Sequence, residues 1–503
     1  MSTDGKTLPP PASLGTHSAR GLVYLIAGST ATKAIGILSQ LALLYLLGRR
    51  DFGVVTLAYT ITEFALIVGQ SGVADVLIHR RAFKQWAVPG FWLSAALGLA
   101  SCLLILLAAP IATRVYGETQ AVRDQLFWVL IVLAPSPLIF SLSVVPRAQL
   151  SRQLQFRALA SLNLGEIALT NLLTVLFAAI GFGPFSFVLP APIGGAIVTL
   201  ILWTWVRPHW SPRLRLRRWR YLIGDSSHLL SSELGRKVID QSDYISLGIK
   251  FGPEIVGIYN VGFRFSIQMM RLLMVNMQSI LFPAFTKLND QPQQQYQGFF
   301  RAQRILAMVG VSSCLLQAAI AQPTARILFP SQWLASIPVM QILSLGMATR
   351  MVSGAAYALM KSHGRFKAIS VCYWCCALIQ LPVLALVLWL GGGLIGVAVV
   401  VSVVAALVGP LMFYISILPF GGGWREVGQV LARPIVSGIV SVGVAWLIAE
   451  WLKDHGYNDI VQFIEINVVA VALNALCAWI WMRPVCDDLL IRIRRLLPNR
   501  AVT

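Results

Sequence analysis

Ionisable side chains recur inside stretches that are otherwise apolar enough for lipid. Near a bilayer centre such a group costs about 2.5–3.5 kcal/mol on insertion scales, so it faces a bundle interior or a watery passage. The densest run is SSELGRKVIDQSDYISLGI, where Glu233, Lys237, Asp240 and Tyr244 fall at i, i+4, i+7 and i+11. On a helix that spacing makes a ladder of alternating sign, with Arg236 and Asp243 as a second, adjacent pair. The following segment carries Asn260, Arg264, Gln268, Arg271 and Gln278 on a single polar stripe. Lys33 shares a helical face with Ser29 and Gln40, Glu63 is spaced likewise from Gln70, and Arg350 adds one more cation. Lys33, Arg236, Lys237, Arg264, Arg271 and Arg350 stand against Glu63, Glu166, Glu233, Asp240 and Asp243, with Asp75 nearer a helix end.

That balance suits an anionic cargo better than a cationic one. Arginine stays charged when desolvated, and its planar fork matches phosphate oxygens. The expected substrate-binding set is therefore Lys33, Arg264, Gln268, Arg271 and Arg350. Glu63, Glu233, Lys237, Asp240 and Asp243 are expected to couple an ion or to act structurally, the latter by neutralising one another and holding neighbouring helices in register.

The elements that position these charges are transmembrane helices. With 57% hydrophobic and only 12% charged residues, the chain lies far outside the soluble range. Spanning a hydrocarbon core takes roughly 20 apolar residues as a helix. About fourteen such stretches can be marked, at 21–47, 52–78, 87–110, 126–146, 158–180, 185–206, 227–249, 254–282, 302–325, 334–359, 367–390, 394–418, 428–450 and 460–482. The expected fold is all-α and polytopic.

Lys and Arg collect in cytoplasmic loops. With the N-terminus inside, 27 of the 40 basic residues fall in inner segments, seven in outer loops and six within spans. Both termini are expected in the cytoplasm, in a plasma (inner) membrane. Residues 1–19 read as a disordered tail and not a signal peptide. The expected organisation continues with an N-terminal lobe over 20–206, a basic linker over 207–226 and a second lobe over 227–418. Two further helices fill 419–482, before a basic tail over 483–503.

Several signals point nowhere further. The basic run from Arg207 to Arg220 is accounted for by topology and by attraction to anionic lipid, so no nucleic acid is expected. Cys372, Cys375 and Cys376 cluster without a His or acid in their span, so no metal is expected there, nor any other cofactor. Trp203, Trp205, Trp210 and Trp219 read as interfacial anchors. Outer loops are short, and neither a metalloprotease HExxH nor a Gly-rich phosphate loop is present, which disfavours an enzyme.

Longer segments carry a resemblance. LLGRRDFGVVTLAYTITEFALIVGQSGVADVLIHRR (Leu46 to Arg81), VPRAQLSRQLQFRALA (Val145 to Ala160) and LGRKVIDQSDYISLGIKFGPEIVGIYNVGFRFSIQMM follow one another in order. With LFPAFTKLND, FPSQWLASIPVMQI and GGGLIGVAV, they are similar to the Wzx-type polysaccharide transporter family, in the superfamily that also holds multidrug exporters. The likeness covers nearly all of residues 20–420. It implies two pseudo-symmetric six-helix lobes, two additional C-terminal helices, a central cavity and alternating access. It maps the family's charged positions onto Lys237, Asp240 and Arg264. The implied cargo is an undecaprenyl-pyrophosphate-linked oligosaccharide, flipped between leaflets for exopolysaccharide, capsule or O-antigen assembly. Membrane lipids, a polysaccharide polymerase and export machinery are the implied partners. Two alternatives stand beside it: a small-molecule or multidrug exporter of the same superfamily, and a membrane polymerase or ligase of lipid-linked glycans.

Overall fold

The computed structural model describes residues 32–69, 77, 83–117, 119–153, 155–206, 219 and 227–481. The expected tails at 1–19 and 483–503, nearly all of the basic linker, and Ser29, Gln70 and Asp75 lie outside the described residues. Every regular element among those described is helical, and the chain forms two compact units, Met1–Leu230 and Ser231–Thr503.

In the first unit α1 is Thr32–Leu46, α2 Arg49–Gly69, α3 Phe83–Tyr116, α4 Gln120–Arg152, α5 Phe156–Ile180 and α6 Phe185–Val206. Their ends follow from local chemistry. The Asp51 carboxylate accepts the Gly48 N–H at 3.2 Å as α2 begins, and Thr119 accepts the Val122 N–H at 3.4 Å as α4 begins. Gly181 closes α5 at φ 91°, a left-handed turn that a side chain would strain. Polar side chains then bind backbone oxygens of neighbouring helices, as lipid immersion favours. Ser101 of α3 donates to the Ala65 carbonyl at 2.8 Å, Trp203 of α6 to Leu142 at 3.0 Å, and Tyr59 of α2 to Phe187 at 3.2 Å.

The second unit begins with α7, Ser227–Ser266, which the left-handed Gly252 (φ 70°) and Pro253 bend into two arms. It continues with α8 Gln268–Lys287, α9 Pro292–Leu328, α10 Ser331–Ser362, α11 Phe366–Trp389, α12 Leu394–Phe420, α13 Trp424–Asp454 and α14 Asp459–Trp481. Helix α9 contains a π-helical turn at Ala307–Val311, and α10 is interrupted at Met351 and Val352. At that break Gln303 of α9 donates to the Val352 carbonyl at 3.0 Å, beside a long 3.5 Å bond from the Ala356 N–H. Outward faces stay apolar, Leu172, Leu378 and Trp389 being 67%, 66% and 80% exposed, as expected of a surface solvated by acyl chains.

Among the described residues ten helices are long and apolar enough to cross a membrane, where the sequence suggests about fourteen. The helices outside that ten are α1, α2, α7 and α8, which carry Lys33, Glu63 and the charges between Glu233 and Arg271. The expected break between 227–249 and 254–282 falls at Gly252, whose non-helical backbone (φ 70°, ψ −174°) separates the two arms of α7.

The closest helix approach in this unit is between α10 and α12. A Cβ on Gly409 would lie 2.0 Å from the Thr349 carbonyl oxygen and 2.9 Å from the Arg350 Cα, and one on Gly346 would meet the Ser402 backbone at 2.4 Å. Small residues thus let two backbones touch, and Ser402 and Thr349 fasten the contact by donating to the Ile342 and Ala406 carbonyls at 2.7 and 2.9 Å. Replacing Gly409 by Val therefore has to push α10 away at Arg350. We expect Gly409→Val to lose about 1–3 kcal/mol of stability, read as a lowered unfolding midpoint of the detergent-purified protein, with Gly428→Val, which meets open space, as the neutral control.

Candidate functional site

The bend at Gly252 brings side chains of the two arms of α7 into contact. Tyr259 lies opposite Asp243, and Asn260 opposite Tyr244. At 1.5 Å per residue, Asp240 and Arg264 each sit roughly 18 Å from the bend.

An ion-pair chain runs across this level. Arg236 donates to Glu233 Oε2 at 2.5 Å through Nη2 and at 3.1 Å through Nε, and its Nη1 reaches Asp240 Oδ2 at 3.1 Å. Arg350, arriving from α10, donates to the other Asp240 oxygen at 2.6 Å. Glu233 and Arg236 are each a third exposed, Asp240 21% and Arg350 only 10%, so the chain is accessible at one end and closed at the other. Tyr373 of α11 lies within electrostatic reach of both arginines. Gln380, also of α11 and fully buried, steadies the backbone beneath by donating to the Ile239 carbonyl at 2.9 Å and to Ser242 Oγ at 2.7 Å.

A drier network sits next to it. Asp243 is 1% exposed and accepts the Tyr259 hydroxyl at 2.7 Å and the Tyr244 N–H at 2.8 Å. Asn260 donates to the Tyr244 oxygen at 3.3 Å, and Tyr244 meets Tyr259 and Phe263 edge to face, each at 5.5 Å between ring centroids.

The expected pairings are thus rearranged. Arg236 bonds Glu233 and Asp240 instead of Asp243, because residues three and four apart are one turn away whereas seven is two turns. Lys237 feels the attraction of Asp240 and the repulsion of Arg271, but the hydrogen bonds to Asp240 come from arginines, whose forks span two acceptors. Arg264 and Gln268 are half-buried and Arg271 is exposed; both arginines interact electrostatically with Tyr244. Arg350 is committed to Asp240. Lys33 and Glu63, half-buried on α1 and α2, belong to the first unit and not to this cluster.

Three groups lie outside the expected site set. Arg236, expected to pair with Asp243, is the hinge of the ion-pair chain, and its spacing from two acids was the available signal. Arg147, placed among inner connections by the sequence, lies within α4 and binds Glu166 at 2.6 Å, Asn163 at 2.7 Å and Ser143 at 3.2 Å. The third is the buried carboxyl of Glu465 on α14, an acid inside an otherwise apolar span. Among the described residues no group of three or more His, Cys, Asp or Glu is placed to hold a metal.

The fold is that of a polytopic membrane transporter. It is similar to the lipid II flippase MurJ in an inward closed conformation, with a TM-score of 0.72 and 13% identity over 92% of this chain and 100% of that one. The chain belongs to the polysaccharide biosynthesis protein family, which matches residues 43–338, and the Wzx-type resemblance of the sequence is thereby met. Similar curated proteins include the succinoglycan biosynthesis transport protein ExoT of Rhizobium meliloti (strain 1021), 22% identical over 96% of this chain and 97% of its own length. The teichuronic acid biosynthesis protein TuaB of Bacillus subtilis (strain 168) is 24% identical over 86% of this chain and 89% of its own.

Breaking a buried pair from one side leaves an uncompensated charge, at a cost of about 3–5 kcal/mol. We expect Arg350→Gln and Asp240→Asn each to lower stability strongly. The double variant should lose at least about 1 kcal/mol less than the sum, measured as a double-mutant cycle on unfolding of the detergent-solubilised protein.

Proposed function

We propose that the protein flips a lipid-linked saccharide across the membrane as a transporter and not an enzyme, and that its cargo is an undecaprenyl-pyrophosphate-linked oligosaccharide repeat unit. The carrying observation is the charge balance of the second unit: Arg236, Lys237, Arg264, Arg271 and Arg350 gather on α7, α8 and α10 against Glu233, Asp240 and Asp243. Two more cations than acids in apolar surroundings favour an anion. A pyrophosphate supplies one, with oxygens that a guanidinium fork binds in pairs.

Arg264 and Arg271, on the second arm of α7 and on α8, are the expected cargo contacts, with Gln268 between them for glycan hydroxyls and Lys33 as a further cation in the first unit. Glu233, Lys237, Asp240 and Asp243 then hold the belt in place, and Glu63 remains the candidate for ion coupling in the first unit. The cationic lining lowers the desolvation barrier for pyrophosphate and sugar while the polyprenyl tail stays among acyl chains. Family membership and relatives named for succinoglycan and teichuronic acid biosynthesis support a cell-surface polymer as the product, and hence a polymerase and export machinery as downstream partners. The distribution of Lys and Arg supports an inner-membrane orientation with both termini cytoplasmic. In that orientation an inside-negative potential assists outward movement of the anion by about 2.3 kcal/mol per charge per 100 mV.

The test is reconstitution with a fluorescent lipid-linked oligosaccharide. The label should change leaflets with its mass unaltered, and Arg264→Ala and Arg271→Ala should each slow the transfer at least about tenfold, the effect of losing one charge-assisted hydrogen bond. Unchanged rates in both variants, at equal protein levels, would remove the cationic belt from the mechanism; a change in mass would make the protein an enzyme.

A further inference from the structure

Away from the charged belt, α14 packs against α9 and α13. Ile466 and Ala470 lie against Ala445 and Ala449 of α13 and Leu316, Ala319 and Ile320 of α9. One end of this seam is polar and satisfied: Asn474 donates to Ser312 Oγ of α9 at 2.8 Å and to Ser437 Oγ of α13 at 3.4 Å. Towards the other end stands Glu465, whose two carboxyl oxygens are both covered and have no hydrogen-bond partner. The seam helices hold two more buried hydroxyls without partners, Thr324 of α9 and Ser441 of α13, so donors are not being spent on this carboxyl. Its stem, by contrast, is partly exposed on the outer surface of the unit. The usual arrangement of a charged side chain at a membrane surface is thus inverted, with the head tucked in and the stem towards lipid.

Arg326 of α9 pairs with Asp459 of α14 at 3.4 Å. Glu450 follows Ala449, which packs with Ile466, and Lys453, Asp454 and His455 come after it, while Arg301 and Arg304 of α9 and Arg425, Glu426 and Arg433 of α13 lie well before the packed stretch along their helices. Among the described residues no ion pair includes Glu465. A carboxylate covered by protein, with neither cation nor donor, is among the costliest groups to bury, whereas the neutral acid is tolerated.

We propose that Glu465 is a proton-binding site. Its ligand is a hydrogen ion, taken up from the Asp459 end of α14, which lies six residues or about 9 Å away along the helix. The site is separate from the belt on α7, α8 and α10 and independent of what the protein carries.

The test uses dicyclohexylcarbodiimide on the purified, full-length protein in lipid nanodiscs, followed by peptide mass spectrometry. This lipophilic reagent reacts with protonated carboxyls: the acid proton passes to a carbodiimide nitrogen, the carboxyl oxygen adds to the central carbon, and an oxygen-to-nitrogen acyl shift leaves a stable N-acylurea. Nothing departs, so the peptide gains the mass of one reagent molecule. We expect an adduct on Glu465 at pH 6, at least tenfold less of it at pH 9, none in Glu465→Gln, and none on the arginine-bonded Asp240. No adduct on Glu465 at pH 6, or equal labelling at both pH values, would overturn the assignment.

Discussion

The arrangement of the second unit follows from how expensive a charge is in hydrocarbon. Asp240 can stay ionised because a guanidinium approaches each of its oxygens, one from its own helix and one from α10. The bonds do not merely compensate burial; they fix the relation between α7 and α10. Helix α10 is in turn set against α12 by the missing side chain at Gly409, one contact away from Arg350. Backbone closeness and charge pairing are therefore one mechanical system, and neither survives displacement of the other.

Within that system the cations differ in what they are free to do. Arg350, buried and bonded to Asp240, is closed off, whereas Arg236 lies at the accessible end with its fork divided between two acids. Arg264 and Arg271 follow on the second arm of α7 and on α8, with exposure rising from one to the other.

Membrane residence, helical class and the identity of the charged helices could be read from the sequence, because an apolar run long enough to span lipid has few alternative fates. Harder to read were the partners. Helical spacing placed Glu233, Arg236 and Asp240 near one another, yet the arrival of Arg350 from 110 residues away has no local signal. The bend at Gly252 was legible: the Gly-Pro pair reads as the end of one span and the start of the next, and the non-helical residue falls there. Arg147 was assigned to a loop because basic residues usually mark loops, while Glu166 one helix later supplied the reason for it to be buried.

The same reasoning separates three kinds of carboxyl. Asp240 is ionic and paired, with two arginines; Asp243 is enclosed by a tyrosine hydroxyl and a backbone N–H; Glu465 has covered oxygens and no partner. A positively charged partner, neutral donors and an acquired proton are three different answers to the same desolvation cost. The first makes a rigid strut, since separating the ions is prohibitive. The last makes a site that changes state with its surroundings, since a proton can leave whenever water reaches it.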